Sequence, residues 1–497
     1  LVTGRNATYV SKQINHMENR MLTRRAILAG LGAMPAMLGS VGRARAGTRR
    51  NLSIESRTLD VQGRAAKVYG LSVNGEFKGL DLLLGEQFNV RLTNNLNVES
   101  LIHWHGLTPP VQFDGVPMLS QAPLRPGAAF DYDFPVLQSG THWMHSHVGL
   151  QEQQLLAAPL IVRETGTPVF DEQEHVVMLH DFTFRDPAEI LAELQGGGGA
   201  HAAHAGHGVD HSKMDHAAQP AAPAMSGAML NDVVYDAYLA NDRTLDDPET
   251  LQVEKGGWLK LRIINGAGAS NMWVDLGALT GSLVAVDGHA IHPIPGSRFP
   301  LAIAQRADIR LQIPREGGAF PILFRPEGVS ARTGIVLTTP DAAVQRIAAT
   351  ADVAPALDLS FERSFRAVAQ LPDEPVTRTE MLMLTGGDAG YNWGLNGKSS
   401  MHDVLFTVRM GERVEVMMHN MTSMSHPMHL HGHYFKVVAI GSERIDGAVR
   451  DTVLVPPGET VTIAFDANNP GNWAFHCHHV YHMNAGMMGA IAYRDAA

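Results

Sequence analysis

The sequence predicts an all-β protein that is built from several β-sandwich domains. Segments such as 412–416 and 460–465 alternate apolar and polar residues, which is the pattern of a half-buried strand. Glycine and proline are frequent, with 49 and 27 residues, so turns are expected at short intervals. At roughly 150 residues per domain, a chain of 497 residues predicts about three domains, and its 45% hydrophobic content is enough for a core in each of them.

The first 46 residues have the composition of an export signal. Arg24 and Arg25 precede an apolar run that is rich in Gly and Ala, and Ala44-Arg45-Ala46 offers a small-residue cleavage site. This pattern predicts a twin-arginine signal and therefore a location in a bacterial periplasm. The run from Ala26 to Val41 is short for a spanning helix, so no stable membrane anchoring is expected. A basic tail or a signal anchor is the alternative interpretation.

The rest of the chain is acidic and contains one cysteine. Residues 1–46 carry a net charge of +6, and without them the formal charge changes from −11 to −17. An acidic protein binds nucleic acid poorly and attracts cations, so no nucleic-acid partner is expected. The single cysteine, Cys477, excludes an intramolecular disulfide and the usual zinc sites of paired cysteines.

A first β-rich domain is predicted over residues 47–165, and it contains two His-x-His pairs. They lie in Ile102-His103-Trp104-His105-Gly106 and in Trp143-Met144-His145-Ser146-His147. Side chains alternate along a strand, so each pair places two imidazoles on one face. That spacing suits a shared metal cluster, and two such pairs in one domain make a coincidence hard to accept.

A second domain is predicted over residues 166–340, with strand-like pieces at 258–264 and 303–313 that carry no ligand motif. We therefore expect a spacer sandwich that holds its neighbours in register. Within it, residues 196–229 form a low-complexity tract that cannot bury enough apolar area to fold, which predicts a mobile surface loop. Imidazole and thioether are good copper ligands, so the tract is predicted to capture copper, with a flexible linker as the alternative. The candidate ligands are His201, His204, His207, His211, Met214, His216, Met225 and Met229.

A linker at 341–377 and a third domain complete the predicted region 341–497. It contains the motif Asn392-Trp393-Gly394-Leu395-Asn396-Gly397, then a cluster of histidines from His426 to His431, and finally the run from His476 to His482 with Met487 close behind. Two His, one Cys and a weak axial Met are the ligands of a blue-copper electron-transfer site.

Alternation of side chains gives the Cys477 run a further property. If Cys477 lies on a strand, its two histidine neighbours point to the opposite face. One short peptide could then supply a thiolate to one copper and two imidazoles to a different metal cluster. A buried, inert cysteine among unrelated histidines is the alternative.

The clusters H-W-H-G, H-S-H, H-P-M-H-L-H-G and H-C-H-x₃-H-x₄-M resemble the motif set of three-domain multicopper oxidases, including laccases and copper-resistance oxidases. The resemblance spans essentially all of the chain after the signal. It implies three cupredoxin-like Greek-key β-sandwiches and four copper ions, of which one is type 1, one is type 2 and two are type 3. The implied ligands are His426, Cys477, His482 and Met487 for type 1 copper, His103 and His429 for type 2, His105, His145 and His478 for one type 3 copper, and His147, His431 and His476 for the other. Met488 is the alternative axial ligand.

The resemblance also implies the reaction and two catalytic residues. The enzyme is expected to couple four one-electron oxidations to the reduction of O2 to water, and Cys477 would link the electron-accepting copper to the other three. Asp114 matches an acidic residue that assists proton delivery in family members, although a turn aspartate before Gly115 is the alternative. Many bacterial copper-oxidising members carry an acid directly after the last type 1 histidine, where this chain has Met483. Protons are therefore expected to take another route or to be delivered less efficiently from that side.

Cu(I) is the expected electron donor, with copper tolerance as the role, because residues 196–229 would recruit copper ions. The nearest alternative is a laccase-like oxidase of phenols, or of Mn(II) or Fe(II), and the remote alternative is a non-catalytic copper-binding or scaffold protein. Met421, Met424 and Met428 near His426 either dock Cu(I) or pack in the core. The protein is expected to be a monomer.

Overall fold

The structure is a computed structural model that describes residues 48–166, 170–196, 230–387 and 390–494. Its regular structure is almost entirely strand, which confirms the all-β prediction. The described residues include one turn of 3-10 helix at Val111–Phe113 and three helices, α1 (Pro187–Gln195), α2 (Ser360–Ser364) and α3 (Val480–Asn484). The signal predicted at 1–46 and the copper-capture residues predicted between 201 and 229 lie outside the described residues. Within the described ranges no helix has the length and apolar character needed to span a bilayer.

Eight strands between residues 50 and 163 form the first pair of sheets. They are β1 (Arg50–Val61), β2 (Arg64–Val73), β3 (Leu80–Leu83), β4 (Gln87–Asn94), β5 (Ile102–His103), β6 (Ala129–Pro135), β7 (Gly140–Ser146) and β8 (Ala157–Arg163). One sheet has the order β2-β1-β4-β6 and the other β3-β8-β7-β5. Their apolar faces enclose a common core in which Phe88 and Trp104 are fully buried.

Eleven strands between residues 173 and 338 form the second pair. They are β9 (Gln173–Phe182), β10 (Ala237–Ala240), β11 (Thr250–Gln252), β12 (Trp258–Asn265), β13 (Met272–Asp275), β14 (Gly281–Val286), β15 (His289–Gly296), β16 (Arg298–Leu301), β17 (Arg306–Gln312), β18 (Ala319–Pro326) and β19 (Thr333–Thr338). The sheet orders are β10-β9-β12-β17-β14-β15 and β11-β19-β18-β13-β16. The predicted strand pieces at 258–264 and 303–313 correspond to β12 and β17.

Twelve strands between residues 378 and 493 form the third pair. They are β20 (Arg378–Gly386), β21 (Trp393–Leu395), β22 (Val404–Val408), β23 (Arg413–Asn420), β24 (His426–Leu430), β25 (Phe435–Ile440), β26 (Glu443–Arg444), β27 (Val449–Arg450), β28 (Thr452–Val455), β29 (Thr460–Asp466), β30 (Asn472–Cys477) and β31 (Met488–Tyr493). One sheet has the order β21-β20-β23-β29-β25-β26, with β27 paired to β25, and the other has the order β22-β31-β30-β24-β28. The alternating segments at 412–416 and 460–465 are in β23 and β29.

The three sheet pairs agree with the predicted number of sandwiches. Each pair encloses its own main core, and no sheet among the described residues takes strands from more than one pair. The predicted linker, 341–377, contains α2 and packs on the second sandwich through bridges such as Ile291 with Ala367. The domain boundaries at 47–165, 166–340 and 341–497 stay a prediction.

Candidate metal centre

Strand pairing brings the first and third sandwiches' histidine motifs into matching positions. In the first sandwich His103 of β5 is the cross-strand partner of His145 on β7. In the third sandwich β24 pairs with β30, so that His429 faces His476 and Met428 faces Cys477. Cys477 is the last residue of β30, so His476 points to the opposite face of this strand from the thiol, as the sequence predicted.

Several groups of buried ligand atoms result among the described residues, and in each the atoms lie within 4.8 Å of one another; four of them contain only imidazole or thiol ligands. Three groups contain only imidazoles and draw on both the first and the third sandwich. The fourth consists of a thiol and two imidazoles from the third sandwich alone. The groups are His103 with His105 and His429, His105 with His145 and His478, His147 with His431 and His476, and His426 with Cys477 and His482. They include every predicted histidine ligand outside residues 196–229.

In the group of His147, His431 and His476, the ring nitrogens are close enough to bind one cation together. The Nε2 atoms of His431 and His476 are 3.0 Å apart, and those of His147 and His476 are 3.4 Å apart. His431 donates its Nδ1–H to the Asp114 carboxylate, and His476 donates its Nδ1–H to the Cys477 carbonyl. Both Nε2 atoms therefore carry lone pairs that face each other at 3.0 Å. A metal ion between them removes this repulsion.

The other two imidazole groups leave buried nitrogens without a hydrogen-bond partner. A polar atom in such a position is destabilising unless something binds it. In five of these rings a nitrogen that faces the group is unpartnered among the described residues. They are His103 Nε2, His105 Nδ1, His145 Nε2, His429 Nε2 and His478 Nε2. This donor set fits metal ions that prefer imidazole ligands, copper among them.

Acidic residues contact the second nitrogen of several of these rings and thereby hold the rings in place. Asp114 accepts from His431 Nδ1 at 2.9 Å, and its carbonyl accepts from His103 Nδ1 at 2.8 Å. Asp451 binds His105 Nε2 at 3.0 Å through Oδ1, which leaves Nδ1 of that ring for a metal. Glu152 Oε2 lies 2.8 Å from His145 Nδ1.

Asp114 reaches His103 because a glycine follows it. Asp114 ends the 3-10 turn, and Gly115 has a φ of +83°. A Cβ atom at position 115 would lie 1.9 Å from the Ile102 carbonyl oxygen, so only glycine permits this close approach. The two interpretations of Asp114 therefore do not exclude each other, because it is a turn residue and also contacts two of the grouped histidines.

The thiol group has the spacing of a three-ligand metal site. Cys477 Sγ lies 3.6 Å from His426 Nδ1 and 3.8 Å from His482 Nδ1, and the two nitrogens are 3.2 Å apart. Spacings of this size fit ligands about 2 Å from a shared ion. On the far side of the rings, Thr422 Oγ1 lies 2.7 Å from His426 Nε2 and Asp232 Oδ2 lies 3.3 Å from His482 Nε2.

The backbone register favours Met487 over Met488 as the fourth ligand. Met488 of β31 is the cross-strand partner of His476, so it lies on the His476 face of the sheet. Met487 is the neighbour of Met488 in sequence and belongs to the same fully buried cluster as Cys477. The Met487 carbonyl accepts a hydrogen bond from the Cys477 N–H at 3.0 Å.

Aromatic and acidic side chains cover the thiol group. The Trp393 ring lies 4.0 Å from the ring of His482, and His479 stacks on His482 at 3.7 Å. Asp232 contacts His479, His482 and the Tyr391 hydroxyl. All of these residues except Tyr391 are buried. An electron donor would therefore contact the covering side chains and not His482 itself.

Burial sets the protonation states that metal binding needs. Burial is the first cause of a lowered pKa, and neighbouring imidazoles add to it, in His105, His145, His147, His426, His429, His431 and His478. Burial also lowers the pKa of His476 and His482 to about 4. These rings are neutral at pH 7, as ligands must be. Burial raises the pKa of the Cys477 thiol, so a metal ion must displace its proton.

The second sandwich, expected to hold its neighbours in register, also supports one of the grouped histidines. Arg306 on β17 is fully buried and uses all five of its N–H donors. They reach the carbonyls of Thr141, Ala304 and Asp287 at 3.1 Å and both carboxylate oxygens of Asp451 at 2.7 and 2.5 Å. Arg306 thus joins the three sandwiches directly behind the His105 ring.

Sequence reasoning missed four residues that shape the site, namely Glu152, Asp232, Arg306 and Asp451. None stands in a His-rich motif, and Asp451 is 346 positions from the ring it contacts, so spacing gave no signal. For Met424 and Met428, near His426, the core alternative holds, because both are buried in the third core. Met421 is 62% exposed.

Buried imidazole groups between two β-sandwiches, beside a group of one thiol and two imidazoles in the third sandwich, fit a copper-dependent redox protein. Family models described as multicopper oxidase match residues 54–167, 173–347 and 373–497. The chain belongs to the multicopper oxidase family. Its three sheet pairs are accordingly cupredoxin-like sandwiches, as the motif resemblance implied.

Comparisons with individual proteins extend over nearly the whole chain. It is 28% identical to the multicopper oxidase MmcO of Mycobacterium tuberculosis, over 94% of this chain and 92% of that protein. It is 27% identical to copper resistance protein A of Pseudomonas syringae pv. tomato, over 96% and 99% of the two chains. The crystal structure of Fet3p, described as a multicopper oxidase that functions in iron import, matches with a TM-score of 0.73 and 18% identity over 90% of each chain.

Proposed function

We propose that this chain is a periplasmic cuprous oxidase that transfers electrons from Cu(I) to O2 and serves copper tolerance. The observation that carries the oxidase assignment is the set of unpartnered nitrogens that face one another across two sandwiches, beside a separate group with one thiol. One chain supplies every predicted histidine and cysteine ligand, which supports a monomeric enzyme.

The proposed ligands follow the groups in the structure, with His105, which belongs to two of them, assigned to a type 3 copper. A type 1 copper would be held by His426, Cys477 and His482, with Met487 as the axial ligand. His103 and His429 would hold the type 2 copper. Two type 3 coppers would be held by His105 with His145 and His478, and by His147 with His431 and His476. When bound, these four ions supply one-electron oxidation and the reduction of O2.

The Cys477 peptide offers two electron paths between the sites. Its covalent bonds lead directly to His476 on one side and His478 on the other. In addition, His476 Nδ1 donates a hydrogen bond of 3.0 Å to the Cys477 carbonyl, which gives a shorter connection to the same ring. Both paths are buried, so water does not reach them.

Asp114 and Glu152 are the proposed proton carriers. Each is about 1% exposed and contacts a ring from a different imidazole group. Burial raises the pKa of Glu152, so this carboxyl is suited to hold a proton near His145. Glu152 also lies 3.6 Å from His478, and it is the proposed replacement for the acid that is missing at Met483.

Asp114→Asn and Glu152→Gln are each expected to lower the rate of O2 consumption by about 10–100-fold, as changes behind metal ligands do. Both variants should keep the blue absorption, because neither side chain touches the thiol group. Oxygen-electrode rates give the measurement, and Asp131→Asn, at a carboxylate that is 57% exposed, is the control. Wild-type rates of O2 consumption in both variants would show that Asp114 and Glu152 do not carry protons in the reaction.

Cu(I) is favoured as the donor by two independent features. The His- and Met-rich composition of residues 196–229 suits copper capture. Copper resistance protein A, which is similar over nearly the full length of this chain, is named for its role in copper resistance. The rival proposal is a laccase-like oxidase of phenols, Mn(II) or Fe(II), which would use the same copper sites.

Steady-state oxidation of Cu(I), Fe(II), Mn(II) and a phenol, measured side by side, separates the two proposals. We expect the highest kcat/KM for Cu(I), and we expect deletion of residues 196–229 to lower it while phenol turnover is kept. A phenol with the highest kcat/KM would favour the laccase-like enzyme. Unchanged Cu(I) kinetics after the deletion would exclude the tract from capture.

A further inference from the structure

The outer face of the third sandwich carries sulfur and imidazole side chains that the proposed copper sites do not use. β20 and β23 are neighbouring strands, and their alternate residues Leu382, Leu384, Val416 and Met418 are buried in the core. The residues between them point to the other face. That face presents Met381, Met383, Met417 and His419, which are exposed or half-buried.

The register places these side chains in two facing pairs. β20 and β23 are parallel, with Met381 beside Met417 and Met383 beside His419. Neighbouring strands lie about 4.8 Å apart, and residues i and i+2 of one strand lie about 6.6 Å apart. Methionine has three rotatable bonds beyond its Cα, so thioethers from such positions can reach one ion. Met421 follows at the end of β23.

Packing does not account for this composition. Met381 is 55% exposed and Met421 is 62% exposed, so neither side chain fills a core. The strand that carries Met381 and Met383 is nevertheless held firmly. Asn396 donates to the Met381 carbonyl at 2.9 Å and accepts from the Met383 N–H at 2.7 Å through its side chain. The Asn-Gly motif thus fixes the edge of β20 behind the exposed thioethers.

His419 is oriented for ligation. Its Nδ1 makes a hydrogen bond of 2.8 Å with Thr460 Oγ1. With Nδ1–H as the donor, Nε2 carries the lone pair, and no described side chain binds that nitrogen. A ring fixed at one nitrogen by a hydroxyl and free at the other is the usual arrangement of a histidine ligand.

We propose that Met381, Met383, Met417 and His419, with Met421 at the margin, form a surface site for a soft monovalent cation, Cu(I) in particular. Thioether and imidazole ligands select Cu(I) over hard cations. The site is separate from the four buried ligand groups and from residues 196–229.

The position of the site suggests its use, and this use rests on the proposed cuprous oxidase activity. Met421 directly precedes Thr422, whose hydroxyl lies 2.7 Å from His426 Nε2. On the neighbouring strand, Gly386 pairs with Trp393, whose ring lies 4.0 Å from His482. An ion on this face is therefore at the end of the sheet where electrons would enter the thiol group.

The test is the binding of Ag(I), a redox-inert soft cation, to the copper-loaded full-length protein. Equilibrium dialysis of wild type is compared with the double variant Met381→Leu/Met417→Leu and with His419→Gln. The control is Met118→Leu/Met410→Leu, which changes two other exposed methionines that are 68% and 60% exposed. Leucine keeps the volume of methionine, so folding is preserved. We expect wild type and control to bind one more Ag(I) per chain than either site variant.

Methyl resonances of ¹³C-labelled methionine provide a second readout in the wild type. Ag(I) is expected to shift the Met383 and Met421 signals, because the methyl groups of these residues would lie next to the bound ion. Equal Ag(I) stoichiometry in all four proteins, or Ag(I) binding without these shifts, would overturn the site. Its use is tested by Cu(I) turnover, for which the site variants should show a raised KM and an unchanged kcat. If wild type fails to oxidise Cu(I), the proposed function falls and the Ag(I) result stands independently.

Discussion

Cys477→Ser is expected to abolish the intense blue absorption of the copper-loaded protein and to reduce O2 consumption to background with every donor. Cys477 is the only thiol in the chain, and it lies 3.6 and 3.8 Å from the two imidazoles of its group. Serine keeps the shape but offers a hard oxygen that is a poor ligand for this type of site. Metal analysis should show one copper ion fewer per chain than in the wild type, because the imidazole groups are untouched.

His402→Asn is the matched control for this variant. His402 belongs to none of the four ligand groups, so absorption, copper content and turnover should all remain at the wild-type level. A Cys477→Ser protein that keeps its blue band would contradict the assignment of the thiol. Loss of all four copper ions would instead show that the sites do not load independently.

Arg306→Met is expected to produce the second large effect, on both stability and copper content. Loss of the guanidinium leaves Asp451 buried without its cationic partner, and breaking a buried pair in this way costs about 3–5 kcal/mol. Asp451 also orients His105 and, through its carbonyl, His429. We therefore expect weaker copper binding by the imidazole groups, while the thiol group retains its blue band.

Denaturant unfolding and copper analysis measure the two parts of this prediction. Arg243→Met is the control, because Arg243 pairs with Asp247 on the surface, where such pairs contribute about 0–1 kcal/mol. An Arg306→Met protein with wild-type stability and full copper content would show that the second sandwich has no part in positioning His105.

The sequence indicated which histidines would lie together because the motifs are local, while their roles as copper ligands stay a prediction. A His-x-His pair on a strand has a fixed geometry, so His103, His145 and His476 could be placed before the structure was known. Strand pairing in the structure then brings the separate motifs next to one another.

Contacts between sandwiches could not be predicted in the same way. Asp451 and Arg306 meet across a domain interface, and neither belongs to a recognisable pattern. The second sandwich was expected to be a spacer because it lacks histidine motifs. Its Asp232 nevertheless contacts His482, and its Arg306 binds Asp451, which contacts His105.

The sequence did not show whether the methionines near His426 pack in the core or dock Cu(I). In the structure Met424 is in the core and Met421 is on the surface. The export signal and the capture role of residues 196–229 stay predictions.

The ratio of donor oxidised to O2 consumed tests the central claim most directly. The copper-loaded wild type is assayed with a one-electron donor that does not react with O2 by itself, and hydrogen peroxide is measured in the same vessel. A thiol group coupled to three imidazole groups predicts four donors oxidised per O2, with no peroxide released. Two donors per O2 with matching peroxide would contradict the coupling of these sites.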